Sequence, residues 1–236
     1  MRKINLVLIG FMLLAGVAAA QTKPTAQKND AQKFDKWEVY AGYNFERSFG
    51  DLNFYSETSA TKYNMYSPFS SNGGQLSAAY FPWKHIGFKT AFTYAGKSAG
   101  ISGESGYVLN TITRSYLIGP TVRWTVPGLY QNRVSVFGQQ LFGATHYSMG
   151  ASYKGQPDGC NVNDQSCRAS GFTEVTGGGV DLRVNRYISV RPLELDYWNH
   201  QINYVHFSGM PYEVGEENFN IAANGFRYSA GVTVHF

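Results

Sequence analysis

The stretch Phe226-Arg227-Tyr228-Ser229-Ala230-Gly231-Val232-Thr233-Val234-His235-Phe236 decides the fold class. Phe226, Tyr228, Ala230, Val232, Val234 and Phe236 hold every second position, and Arg, Ser, Gly, Thr and His stand between them. Successive side chains of an extended strand point to opposite faces, so this segment has one apolar and one polar face. The apolar face reaches the terminal carboxylate, which is rare in soluble proteins.

The same alternation recurs upstream. Trp37, Val39, Ala41, Tyr43 and Phe45 share one face, and Glu38, Tyr40, Gly42, Asn44 and Glu46 share the other. A second strand over about 73–81 sets Leu76, Ala78 and Tyr80 outward, and a third sets Ile86, Phe88, Thr90, Phe92 and Tyr94 outward, opposite Lys89. A fourth, about 111–124, has Ile112, Tyr116, Ile118, Val122 and Trp124 out, with Ser115, Leu117, Thr121 and Arg123 in. The fifth, about 133–145, has no legible phase, because Val136-Phe137 and Leu141-Phe142 are adjacent apolar pairs. The sixth, about 172–184, places Val180, Leu182 and Val184 out, with Asp181 and Arg183 in. In the seventh, Ile188 and Val190 differ in parity from Leu193, Leu195 and Tyr197. One extra residue at Arg191-Pro192 reconciles them, and proline cannot donate to a ladder, so the pattern predicts a β-bulge there. The eighth strand starts at about Phe219.

Connections alternate between short ones near 82–85, 125–132 and 185–187 and long ones near 47–72, 96–110, 146–171 and 199–218. The prediction is an all-β fold: an eight-stranded antiparallel up-and-down transmembrane β-barrel. In a soluble lipocalin-like barrel the apolar face points inward. Here Glu38, Lys89, Arg123, Asp181 and Arg183 take the opposite face, which suits a polar lumen and a lipid-facing wall. Aromatics near both strand ends, Trp37, Phe81, Trp83, Trp124, Tyr187 and Phe236 at one and Phe45, Tyr94, Phe172, Tyr197, Trp198 and Phe226 at the other, are read as two interfacial girdles.

Residues 1–20 read as a secretory signal peptide: basic Arg2 and Lys3, an apolar run from Ile4 to Val17, then Ala18-Ala19-Ala20. Its loss lowers the net charge from +4 to +2, because Arg2 and Lys3 leave with it. So small an excess gives no argument for nucleic acid as a partner. Residues 21–35 are polar and aperiodic, a periplasmic lead-in, and 36–236 form the barrel domain. The 16% aromatic content, 26 glycines and mean hydropathy of −0.28 fit strands that are only half lipid-facing.

Three fragments, Gly177-Gly178-Gly179-Val180-Asp181-Leu182-Arg183, Ile188-Ser189-Val190-Arg191-Pro192-Leu193-Glu194-Leu195-Asp196-Tyr197 and the terminal strand, resemble the eight-stranded outer-membrane barrels of the OmpA-like superfamily. The resemblance extends over about 36–236 and implies location in the bacterial outer membrane. It implies outer-membrane lipid and lipopolysaccharide as surroundings, and Phe236 as a signal read by the barrel-assembly machinery. The peptidoglycan-binding domain of OmpA itself is not expected here.

Three groups of residues could carry chemistry. Glu38, Lys89, Arg123, Asp181, Arg183, Arg191, Glu194 and Asp196 face inward and are expected to form compensating ion pairs that plug the lumen; a gated ion path is the alternative. Cys160 and Cys167, in an exported protein, read as one disulfide within the third long loop. His206-Phe207-Ser208 resembles the His-x-Ser pair of lipid A deacylases, with Glu216 or Glu217 as orienting acids, but Gly209 stands where that family has Asn, and the segment is expected in the fourth loop. His85, His146, His200 and His235 lack catalytic or metal spacing. The reading is a non-enzymatic outer-membrane protein without cofactor, with a structural or surface-interaction role and an unidentified extracellular ligand for its loops. A narrow porin-like channel and a lipid A-modifying enzyme are the alternatives.

Overall fold

A computed structural model describes residues 35–49, 52–56, 61–66, 70–100, 107–157, 167–207 and 221–236. Its strands are β1 Trp37–Phe49, β2 Leu52–Ser56, β3 Thr61–Tyr66, β4 Ser70–Tyr80, β5 Ile86–Gly100, β6 Tyr107–Thr125, β7 Val134–Tyr153, β8 Gln156–Pro157, β9 Cys167–Arg183, β10 Ile188–Phe207 and β11 Ile221–His235. Among them β1, β4, β5, β6, β7, β9, β10 and β11 each pair antiparallel with the barrel strands before and after them, and β1 pairs with β11. The sheet therefore closes as an eight-stranded up-and-down barrel and leaves no open edge among these strands, which is what a membrane-spanning sheet requires.

Side chains alternate as the sequence indicates. Along β1, Trp37, Val39, Tyr43 and Phe45 are exposed on the outside, while Glu38, Tyr40, Asn44 and Glu46 are buried inside. The outer wall is apolar across the other strands too, with Leu76, Phe88, Ile118, Leu193, Tyr228 and Val232 all more than a third exposed. The phase missing from the fifth strand is settled by pairing. β7 runs in unbroken register with β6 and β9, so Val136 and Phe142 point out while Phe137 and Leu141 point in. Each adjacent apolar pair is split between wall and lumen.

The bulge at Arg191-Pro192 is present. β10 shifts register against β11 between Arg191 and Glu194, and against β9 between Val190 and Leu193. A further shift, unmarked in the sequence, falls between Ile202 and Tyr204.

Other expectations are corrected. The strands run well into segments read as loops: β7 to Tyr153, β9 from Cys167 and β10 to Phe207. Backbone ladders need no apolar face, so pairing persists after the hydrophobic alternation fades. The expected loop over 47–72 contains the antiparallel hairpin β2–β3. At the tip of β7 a two-residue turn, Lys154 and Gly155 at φ 49° and 82°, returns the chain as β8. Positive φ at both central residues matches the right-handed strand twist. Phe81 and Trp198, read as girdle residues, each retain only 2% exposure and point into the barrel. Both follow an outward residue, Tyr80 and Tyr197, so the alternation itself turns them inward.

The end carrying the short connections is tied together by main-chain bonds. Lys36 N–H donates to Phe236 C=O at 3.0 Å, Phe81 N–H to Lys36 C=O at 2.8 Å, and His235 N–H to Tyr187 C=O at 2.7 Å. We call this the turn end and the opposite one the loop end.

Candidate functional site

The lumen gathers ionisable and hydrogen-bonding side chains from all eight barrel strands. Glycines make room for them. A Cβ on Gly179 would lie 2.8 Å from the Phe137 ring, and one on Gly177 would lie 2.0 Å from Asp196 Oδ1. The glycine run in β9 therefore hollows the wall where the bulkiest inward groups pack.

At the turn end, Arg123 pairs with Glu38 and covers the Phe81 ring, its guanidinium carbon 3.9 Å from the centroid. His235 lies 3.4 Å from Glu38 and 2.7 Å from Ser189 Oγ. Arg183 belongs to the mouth rather than the buried network. It pairs with Asp35 and donates to the carbonyls of Asn185 and Arg186. Asp35, read as part of the lead-in, thus caps the barrel.

The central layer is built around Glu194 and Arg191, both buried. Arg191 donates to both oxygens of Asp181 at 2.7 and 2.9 Å and to Glu194 Oε2 at 2.7 Å. Glu194 Oε1 accepts from Lys89 at 3.2 Å, Gln139 at 2.8 Å and Gln75 at 3.1 Å. Lys89 also donates to Gln139 Oε1 at 2.7 Å. Arg191 is sandwiched between aromatic faces, 4.0 Å from the Phe137 centroid and 4.5 Å from that of Tyr40. Beside Tyr40, Phe137, Lys89 and Thr121 is a cavity of about 10 Å³, roughly what one water molecule needs.

Toward the loop end Arg227 bonds Asp196 at 2.9 Å and approaches Glu46 at 3.6 Å. Neither Arg227 nor Glu46 was among the lumen residues singled out from sequence, although both lie on polar faces of alternating strands. Gln75 and Gln139 were also missed, because neutral amides give no charge signal. Above Arg227 a hydrogen-bonded chain runs along the inner face of β6, β7, β9 and β10: Ser115 to Thr145 at 2.7 Å, Thr145 to Thr173 at 2.6 Å, and Thr173 to His200 Nδ1 at 2.7 Å. Trp198 stacks on His200 at 4.3 Å, and Tyr147 meets it edge-on at 5.7 Å. The arrangement holds opposite charges within bonding distance and fills the interior of an eight-stranded barrel with side chains.

Other candidate residues fall elsewhere. Phe236 lies at the turn end, 66% exposed and bonded through its backbone to Trp37. Cys167 opens β9 opposite Phe207, whereas Cys160 lies outside the described residues. His206 and Phe207 sit in β10, not in a loop; Ser208, Gly209, Glu216 and Glu217 lie outside the described residues. Among the described residues no group of three or more His, Cys, Asp or Glu could hold a metal ion.

No protein-family model matches the chain. No curated protein matches it significantly. Among solved structures it is similar to Ail, the attachment invasion locus protein of Yersinia pestis, with 14% identity over 86% of this chain and 99% of that one, at a TM-score of 0.48. It is also similar to Neisserial surface protein A, with 14% identity over 85% and 97% at 0.45. The outer membrane protein OprG from Pseudomonas aeruginosa gives 11% identity over 86% and 97% at 0.47.

Proposed function

We propose that this chain, a closed eight-stranded antiparallel barrel with an apolar outer wall, is exported to the bacterial outer membrane. There it serves as a non-enzymatic structural or surface-interaction protein with a plugged lumen. The observation that carries the reading is the pairing of opposite charges inside an apolar-walled barrel. Lys89, Arg191 and Arg227 are each matched by a carboxylate from another position in the wall or across it. Such an interior serves rigidity rather than transit, since a diffusing solute must break pairs whose separation in low dielectric is costly.

On this reading the signal peptide at residues 1–20 delivers the chain to the periplasm, the turn end, where β1 begins and β11 ends, faces that side, and the long connections lie outside. Phe236 then serves as the assembly signal, and the loops carry whatever surface contacts the protein makes.

Two measurements test the reading together. Fractionation should find the mature protein in the outer membrane as a heat-modifiable band. Planar-bilayer recording of the purified protein should show no sustained ohmic steps. Recovery as a soluble periplasmic protein would overturn the location, and large stable conductance, or uptake of sugar-sized solutes into liposomes, would overturn the plug.

A further inference from the structure

The outer wall is not uniformly apolar. Near the loop end Tyr94 on β5, Arg114 on β6, His146 on β7 and Ser170 on β9 are directly opposed in register, forming one row across four adjacent strands. All four fall at outward positions: Tyr94, His146 and Ser170 are exposed and Arg114 half-buried. Arg168, also exposed, stands one pleat above Ser170. His146 Nδ1 and Ser170 Oγ are 2.6 Å apart, and the His146 ring meets Tyr116 edge-on at 6.0 Å. Neither Arg114 nor Arg168 is ion-paired to a described residue. Among the described residues the carboxylates Glu46, Asp181, Glu194 and Asp196 are bonded to cations inside the lumen rather than to this row.

Immediately toward the turn end lies an open apolar groove of about 350 Å³, lined by Val39, Leu76, Ala78, Thr90, Phe92 and Tyr116. Phe92 and Tyr116 are the next outward residues below Tyr94 and Arg114, and their rings pack 5.1 Å apart. The small residue Ala78 sits between larger walls formed by Val39, Leu76 and Phe92. The Tyr94–Arg114 end of the row thus stands over a hydrophobic channel on the lipid-facing side, and His146 and Ser170 continue the row beside it.

From this juxtaposition we infer that the wall formed by β4–β9 holds one phosphorylated lipid of the outer leaflet. Its phosphate engages Arg114, His146, Ser170 and Arg168, and one acyl chain lies in the groove over Ala78. Arginine is suited to phosphate because its planar fork donates two parallel bonds. The level of the row, at the upper edge of the aromatic wall residues, is where headgroups meet hydrocarbon. A free phosphate would leave the groove unused, and a purely apolar ligand would leave the guanidinium groups unused. The inference rests on the membrane reading of the barrel and adds a partner and a site to it.

The test uses the full mature protein, refolded in detergent, with hexa-acyl bisphosphorylated lipid A as the probe and native mass spectrometry as the readout. Three comparison ligands are chemically dephosphorylated lipid A, phosphatidylglycerol and inorganic phosphate. The wild type should retain bisphosphorylated lipid A at least tenfold better than each of the three. Arg114→Gln/Arg168→Gln should lower that retention about tenfold, and Arg114→Lys/Arg168→Lys should restore most of it. Ala78→Phe, which fills the groove, should weaken both the phosphorylated and the dephosphorylated lipid. Equal retention with and without phosphate, no loss in the double Gln variant, or no effect of Ala78→Phe would overturn the proposal. Heat-modifiability of each variant is followed in parallel, so loss of the site is distinguished from loss of the barrel, and a failure of the barrel to insert into liposomes would count against the membrane reading instead.

Discussion

Arg191 and Glu194 are three residues apart on one strand, yet both face the lumen and meet at 2.7 Å. In a regular strand, residues three apart face opposite sides. The bulge between them lets both side chains point inward, while Pro192 and Leu193 are both exposed on the outer wall. Deleting Pro192 would leave Arg191 and Glu194 two residues apart, so plain alternation would keep both charges in the lumen and set Leu193 outward. We expect the deletion variant to reach a heat-modifiable form with an unbroken β9–β10–β11 register. Failure to assemble would show that the bulge itself, and not only the facing of the two charges, is required.

Glu194 is the acceptor shared by Lys89, Arg191, Gln75 and Gln139. Removing it leaves two buried cations short of a partner. Glu194→Ala is expected to destabilise the barrel by about 3–5 kcal/mol, the usual consequence of breaking a buried pair. Reversible urea unfolding in phospholipid vesicles measures this, and a loss below about 1 kcal/mol would mean that the pairs behave like exposed ones.

Glycine positions should divide by face. At Gly179 a Cβ would meet Leu193 O at 2.4 Å as well as the Phe137 ring, so Gly179→Leu should block assembly. Gly138 sits on the outer face, and the nearest atom to its added Cβ is Val122 Cγ2 at 3.6 Å. Gly138→Ala should change stability by no more than about 0.5 kcal/mol. Equal tolerance at both sites, measured as folded yield, would contradict the packing described for the lumen.

Replacing Phe236 with Asp removes the exposed terminal ring but keeps the backbone bonds to Trp37. Refolding in detergent should therefore be nearly normal, while export in cells should yield degraded or periplasmic material. Normal assembly in cells would remove Phe236 from the role of assembly signal.

A bridge between Cys160 and Cys167 is tested by replacing both with Ser. The barrel ladder closes through β1 and β11 without them, so heat-modifiability should be unchanged, while protease cleavage between Tyr153 and Cys167 should rise. Failure of the double variant to assemble would show that the bridge holds strands together.

Fold, the bulge and the phase of every strand but the fifth were legible in the sequence because hydrophobic alternation is a direct image of a wall with lipid on one side. The limits of that signal explain what was missed. Leu141 and Val175 are fully buried inside the barrel, where an apolar residue contradicts the simple rule of a polar interior. The hairpin β2–β3 and the extensions of β7 and β10 lie where one-sided burial ends, and backbone pairing alone leaves little trace in residue type. Arg227 was legible in the quoted terminal strand, but its partners Asp196 and Glu46 come from two other strands, and no local pattern joins them.

The interior contacts also link parts of the chain that are far apart in sequence. Lys89 and Glu194 are separated by 105 positions, Arg123 and Glu38 by 85, and Ser229 and Gln75 by 154. Arg191 and Arg227 meet carboxylates on their own or a neighbouring strand, but Lys89 and Arg123 find Glu194 and Glu38 across the bore, so a half-closed sheet would leave these two cations without their counter-charges until the wall curls shut. Neutralising these groups is thereby coupled to closing the circle. The side chains that fill the interior thus favour a finished wall over a partly built one.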